Sequence, residues 1–266
     1  MPATGLSGRN RAVLAELNRA FGGPFTVAEA AELIDLEPSR SSRLLRQLAR
    51  SGWLRRLQRG LYATVPLEAH DAATWSADPW AIGATALAPG YVGGWTALGH
   101  WELTDQIFST TLFLTSRAVP HRRRDIGPAR FELRHRPESA MFGLRRVWRD
   151  GVRVQISDRE RTLVDCLDDP SLGGGLRHTA EALAAYAEVE EASWQRLIEY
   201  GDRLENKTVF KRLGYIVEAL GVAGQDLAGI LLERLSAGVG KLDPAMPAEG
   251  PIDKRWGLRI NSGVPR

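Results

Sequence analysis

The stretch that most constrains this chain runs from Pro38 to Pro66, PSRSSRLLRQLARSGWLRRLQRGLYATVP. Pro38 suits the first turn of a helix, and Ser39, Ser41 and Ser42 can accept from the free N–H groups there. Leu44, Leu45 and Leu48 then share one face at 3.6-residue spacing. Arg40, Arg43, Arg46, Gln47 and Arg50 fall on roughly the opposite face. Ser51-Gly52 stops the helix, because glycine can take the left-handed cap. Two short strand-like runs follow, Trp53 to Leu57 and Leu61 to Val65, joined through Gln58-Arg59-Gly60, and this hairpin carries Arg55, Arg56 and Arg59. A cationic helix followed at once by a basic hairpin is the outline of a winged helix-turn-helix. The helix would enter a major groove and the hairpin would touch phosphates.

A basic helix face is commonly no more than a solvated surface, so the neighbouring sequence matters. The charges are all arginine, which suits bidentate contact with phosphates and guanine edges better than lysine does. The preceding segment supplies two further helices. Residues 7 to 20 carry the apolar stripe Val13, Leu14, Leu17, and Gly22-Gly23-Pro24 ends them. Phe25 to Ile34 is a short second helix, with Thr26 as its cap and Glu29 three places on, a capping box. From Met1 to Pro66 ten arginines stand against Glu16, Glu29, Glu32, Asp35 and Glu37, an excess larger than the +3 of the whole 266-residue chain. A basic N-terminal module is therefore joined to a near-neutral body.

The single cysteine, Cys166, leaves no internal disulfide, which fits a reducing, cytoplasmic setting. It lies in an apolar helical run and reads as a small core residue. No apolar run reaches the length of a transmembrane helix, and the N-terminus lacks the apolar segment of a signal peptide.

Residues 66 to 78 read as a linker, dividing the chain into residues 1–68 and 78–266. Asp78-Pro79-Trp80 starts a helix through Ala88, Tyr91 to Gly94 is a short strand or turn, and Trp95 to Trp101 is helical. Ile107 to Thr115, Arg130 to Arg136 and Val152 to Ile156 read as strands of a small mixed or antiparallel sheet. Phe131, Leu133 and His135 share one face of the second. Between these strands lie a basic loop, Val119 to Arg124, and a basic run with Arg145, Arg146 and Arg149. Ser157 to Glu160 is a helix start with Ser157 as cap, and that helix ends at Pro170. Gly173-Gly174-Gly175 lacks the Walker spacing and reads as a helix-entry loop. Helices are expected over 177–188, 192–200, 207–220 and 225–235, and an extended tail over Asp253 to Ile260. The fold class is α+β: a winged helix-turn-helix, then a larger C-terminal domain with a small sheet and a helical bundle.

With these residues placed, the chain resembles the AbiEi-type antitoxins. TVAEAAELIDLEPSRSSRLLRQLARSGWLRRLQRGLYA is similar to that family's N-terminal winged helix. TALGHWELTD, SDRERTLVDCLDDPSLGGG, KRLGYIVEALG and WGLRIN are similar to its C-terminal domain. The resemblance implies a partner, a nucleotidyltransferase-like toxin encoded alongside. It also implies repression of the shared promoter by the N-terminal domain and toxin neutralisation by the C-terminal one.

The expected activity is thus that of a DNA-binding transcriptional repressor and antitoxin, with double-stranded operator DNA as partner and no cofactor or metal. The residues expected at the DNA are Ser39, Arg40, Ser42, Arg43, Arg46, Gln47, Arg50, Arg55, Arg56 and Arg59. Arg40, Arg43 and Gln47 are the candidates for base edges; Arg46, Arg50, Arg55, Arg56 and Arg59 would hold phosphates. A partner surface is expected at Arg122, Arg123, Arg124, Arg145, Arg146, Lys211 and Arg212. No long heptad pattern marks a coiled-coil dimer, so a monomer or weak dimer on DNA is expected. The competing reading is an enzyme, a metal-dependent nuclease. It would need strand-borne carboxylates and a lysine around a metal. The only Glu-x-Lys is Glu205-Asn206-Lys207 at a helix start, and Asp165, Asp168 and Asp169 gather at a helix end. His100, without nearby ligand spacing, reads as structural. A transcription regulator without a toxin is the other alternative.

Overall fold

The structure is a computed structural model that describes residues 7–65, 75–204, 206–222 and 225–263. In chain order it begins with α1 (Gly8–Ala20), β1 (Pro24–Thr26), α2 (Val27–Leu33), α3 (Pro38–Arg50), β2 (Leu54–Gln58) and β3 (Leu61–Thr64). There follow α4 (Pro79–Leu87), β4 (Gly90–Val92), α5 (Gly94–His100), β5 (Thr111–Thr115), β6 (Arg123–Ile126), β7 (Ala129–His135), β8 (Leu144–Arg149) and β9 (Val152–Ser157). The remainder is α6 (Arg159–Asp168), α7 (Leu176–Ala187), α8 (Trp194–Arg203), α9 (Thr208–Leu220), α10 (Gln225–Leu232), β10 (Gly240–Lys241), β11 (Ile252–Asp253) and β12 (Leu258–Arg259).

By contacts the chain divides into two compact units, neither continuous in sequence. The first takes residues 1–91, 113–135 and 146–155, and the second takes 92–112, 136–145 and 156–266. The linker expected at residues 66–78 lies largely outside the described residues.

In the first unit, Leu14, Leu17, Phe25, Leu45, Leu48, Leu54 and Tyr62 form the core beneath α1 to β3. Thr26 closes α2 with a complete capping box: its Oγ1 accepts from Glu29 N, and a Glu29 carboxylate oxygen accepts from Thr26 N at 2.7 Å. β1 and β2 flank β3, both antiparallel to it. A six-stranded mixed sheet of order β6-β7-β5-β4-β9-β8 belongs for the most part to this unit. β6 and β7 pair antiparallel, and β4 and β9 parallel. Phe131 and Leu133 point into the core as their alternation predicts, while His135 is exposed.

The second unit is mainly helical. Leu163, Leu167, Leu183, Leu197, Phe210, Leu213 and Trp256 belong to its core. A small sheet of order β10-β12-β11 closes it. Cys166 is fully buried there, and burial pushes its thiol pKa well up, as suits a core residue. Gly174 and Gly175, at φ +88 and +113, make the turn into α7, the role expected of the glycine run.

Several local expectations are corrected. β5 starts at Thr111, so Ile107 to Thr110 precede the strand, with Ile107 almost wholly exposed. The cap of α6 is Asp158, whose carboxylate accepts from Arg161 N at 2.8 Å, rather than Ser157. A carboxylate is the stronger acceptor, and Ser157 Oγ lies 2.7 Å from Thr162 Oγ1 instead. Arg123 and Arg124 lie on strand β6, and Arg145, Arg146 and Arg149 on β8.

Candidate nucleic-acid interface

Helix α3 begins at Pro38 as its composition predicts, but its serines do not cap it: Glu37 is the N-cap and makes no side-chain cap bond. Ser41 is buried, and among the described residues its Oγ has no hydrogen-bond partner. Leu45 and Leu48 are buried, with Leu44 half-buried, so the leucine face sets the rotation of the helix. That rotation exposes Ser39, Arg40, Arg43, Arg46, Gln47 and Arg50, while Ser42 is half-buried. Arg46 Nε donates to Ser42 O at 3.2 Å, which lays its guanidinium along the helix.

Gly52 ends the helix at φ +79 and sends the chain straight into β2. Arg55, Arg56 and Gln58 pair with Ala63, Tyr62 and Leu61 across the hairpin, with a register shift between Arg56 and Gln58. Gly60 turns the tip at φ +83, leaving Arg59 exposed beside it. Arg56 is exposed and Arg55 half-buried. The same turn of chain thus carries exposed arginines on the helix and on the hairpin. Both segments are built on one small core.

The residues expected at a protein partner fall into two groups. Arg122, Arg123, Arg124, Arg145 and Arg146 are exposed. Lys211 and Arg212 are not: their relative exposures are 3% and 5%. Lys211 Nζ donates to Gly238 O at 2.7 Å. Arg212 donates to the carbonyls of Leu167, Asp168, Lys241 and Leu242, and so ties the end of α6 to the β10 segment. Burial draws both pKa values down. The basic pair KR reads as a surface charge in sequence, but here it satisfies buried backbone carbonyls.

The acidic group proposed for a nuclease is also accounted for. Asp165 is buried and accepts from Arg161 at 3.0 and 3.2 Å, with Arg136 at 3.3 Å. Asp168 accepts from Arg136 at 2.6 Å and from Asn206 at 2.5 Å, and Asp169 caps Ser171. Glu205 lies outside the described residues; Lys207 pairs with Asp202 at 2.9 Å. Among the described residues no group of three or more His, Cys, Asp or Glu is arranged to hold a metal ion. His100 packs edge-on against Trp101. No helix among the described residues is long and apolar enough to cross a membrane.

One connection was not legible in sequence. An Arg124 guanidinium nitrogen donates to Gln58 Oε1 at 3.1 Å, joining β6 to the hairpin that follows α3. The two residues are 66 positions apart. No local pattern brings them together.

Three helices, a three-stranded sheet and a basic hairpin after the third helix define a winged helix-turn-helix within a mixed α and β protein. Within it, residues 13–65 match the family of transcriptional regulators described as AbiEi antitoxins. The whole chain is also similar in fold to the crystal structure of the RV2827C protein from Mycobacterium tuberculosis. That similarity has a TM-score of 0.64 at 15% identity and covers 97% of this chain and 93% of the other. No match was found among curated proteins.

Proposed function

We propose that this chain is a DNA-binding transcriptional repressor and antitoxin. It binds double-stranded DNA upstream of its own gene and neutralises a nucleotidyltransferase-like toxin. Helix α3 lies in the major groove. Arg40, Arg43 and Gln47 meet base edges; Arg46, Arg50, Arg55, Arg56 and Arg59 hold phosphates, with the Ser39 and Ser42 hydroxyls beside them. The observation that carries this reading is the exposed face of α3, whose arginines continue directly into those of the hairpin. The family match over residues 13–65 supports it. The antitoxin half rests on that match and on the sequence resemblance of the C-terminal segments.

The test is binding of the purified protein to a duplex from upstream of its gene and to a random duplex, across a salt series. Tight, selective binding to the upstream duplex is expected. Arg43→Ala should cost roughly 1–3 kcal/mol on the upstream duplex and relax its preference. Arg59→Ala should weaken both duplexes alike and reduce the salt slope by about 0.9. Equal loss on both duplexes for Arg43→Ala would remove it from base reading. Rescue of growth from the neighbouring gene's product tests the antitoxin half.

A further inference from the structure

We infer that the β6 edge strand and the residue before it extend the DNA interface beyond the winged helix, with Arg122 and Arg124, which share the strand face that meets the wing, gripping the phosphate backbone beside it and Arg123 adding charge from the opposite face. This rests on the DNA-binding reading above. β6 is the outer strand of the six-stranded sheet, so no further strand covers its far side. All three arginines are exposed, and among the described residues no carboxylate lies within ion-pair distance of any of them. Glu132, opposite Arg123 on β7, is held by Arg134 at 2.6 Å, and Asp125 sits opposite Arg130.

Two contacts fix this strand to the wing. Arg124 donates to Gln58 Oε1 at 3.1 Å, one residue from the tip arginine Arg59. At the β6–β7 turn, Gly127 has φ +58, and a β-carbon there would lie 3.1 Å from Leu57 Cδ2. The arginine strand is therefore continuous with the wing and is held against it. Exposed guanidinium groups with no carboxylate held against them, beside the hairpin, match the charge and fork geometry of DNA phosphates. Such contacts add affinity and salt dependence and carry no sequence information.

The experiment compares the full-length protein with its Arg122→Ala/Arg123→Ala/Arg124→Ala variant on the upstream and random duplexes over roughly 50 to 200 mM salt. The slope of log K against log salt should fall by about 2, since each of the two phosphate contacts contributes about 0.9. The preference for the upstream duplex should stay unchanged. The Arg122→Lys/Arg123→Lys/Arg124→Lys variant keeps the charge and should recover most of the slope. An unaltered slope in the alanine variant overturns the inference, and toxin rescue lost at the same time would assign the strand to a protein. Equal loss in the lysine and alanine variants also overturns it, because charge would not be what acts. If the unaltered protein binds neither duplex, the DNA-binding reading itself fails, a distinct result.

Discussion

At position 214 there is no room for a side chain. Gly214 sits inside α9 against the ring of Trp256, which is fully buried; a β-carbon would lie 2.0 Å from one ring carbon and under 2.5 Å from two others. Trp256 cannot easily yield. Its backbone N–H donates to Asp253 at 2.8 Å, and its indole N–H donates to the Glu218 carboxylate. Alanine is a better helix former than glycine by about 1 kcal/mol. Overpacking of a filled core costs typically about 1–3 kcal/mol and should win here. Gly214→Ala is therefore expected to lower the thermal midpoint by several degrees, read by circular dichroism. An unchanged or higher midpoint would mean that helix propensity outweighs the clash.

Thr26 shows how a sequence signal carries through to an element. Its hydroxyl and the Glu29 carboxylate close the start of α2, and α2 packs on the α3 that presents the arginines. Thr26→Ala should cost about 1 kcal/mol of stability, measured by urea unfolding. Its effect on DNA affinity should be small where the protein remains folded. Ion pairs between a helix and the ends of its neighbours behave differently. Asp202 of α8 accepts from Lys207 at 2.9 Å and from Arg234 at 3.1 Å. Burial pushes its pKa up, but the two hydrogen bonds and charges outweigh this and hold it below the usual value. A lowered folded pKa means that the unfolded chain binds more protons. The stabilisation is then complete above the ordinary carboxylate range, near pH 4, and is lost as pH falls through the folded value. At 40% side-chain exposure, solvent screening limits it to roughly 0–1 kcal/mol. Asp202→Asn should therefore lower stability slightly at pH 7, with the difference shrinking as pH falls through the folded value. A loss that does not change with pH would point to packing instead. Elements such as α2, α3, α7 and α9 were legible because glycine stops, apolar spacing and the capping box of α2 are local, although Phe25, expected at the start of that helix, lies on β1. The start of β5 was not, since Ile107 to Thr110 have strand composition but lie outside the ladder. Lys211 and Arg212 misled for a related reason: only the carbonyls brought up by distant segments reveal why two cations are buried.

For the whole molecule, the sequence divides at a small polar stretch, whereas contacts divide it along neither half of the chain. The first compact unit joins the winged helix to α4 and to most of the six-stranded sheet. The Thr85 hydroxyl of α4 lies 3.4 Å from Pro24 O in β1. A β-carbon at Gly23 would lie 2.4 Å from the carbonyl oxygen of Asp150 in the β8–β9 turn. Gly127 rests on Leu57, and Arg124 holds Gln58. Each of these partners lies beyond residue 68, at distances in sequence that no linear reading connects. A fragment of residues 1–68 would keep the winged-helix core and both recognition elements, but it would expose the surfaces that α4 and the sheet cover. It should unfold at a lower temperature than the full chain. Where folded, it should keep the preference for upstream DNA, because α3 is intact. Its salt slope should be lower, because Arg122 to Arg124 are gone. Equal thermal midpoints for the fragment and the full chain would show that the winged helix is an independent domain and that the contacts from α4 and the sheet contribute little. A lower midpoint with a reduced slope would show that the sheet both supports the winged helix and reaches the DNA beside it.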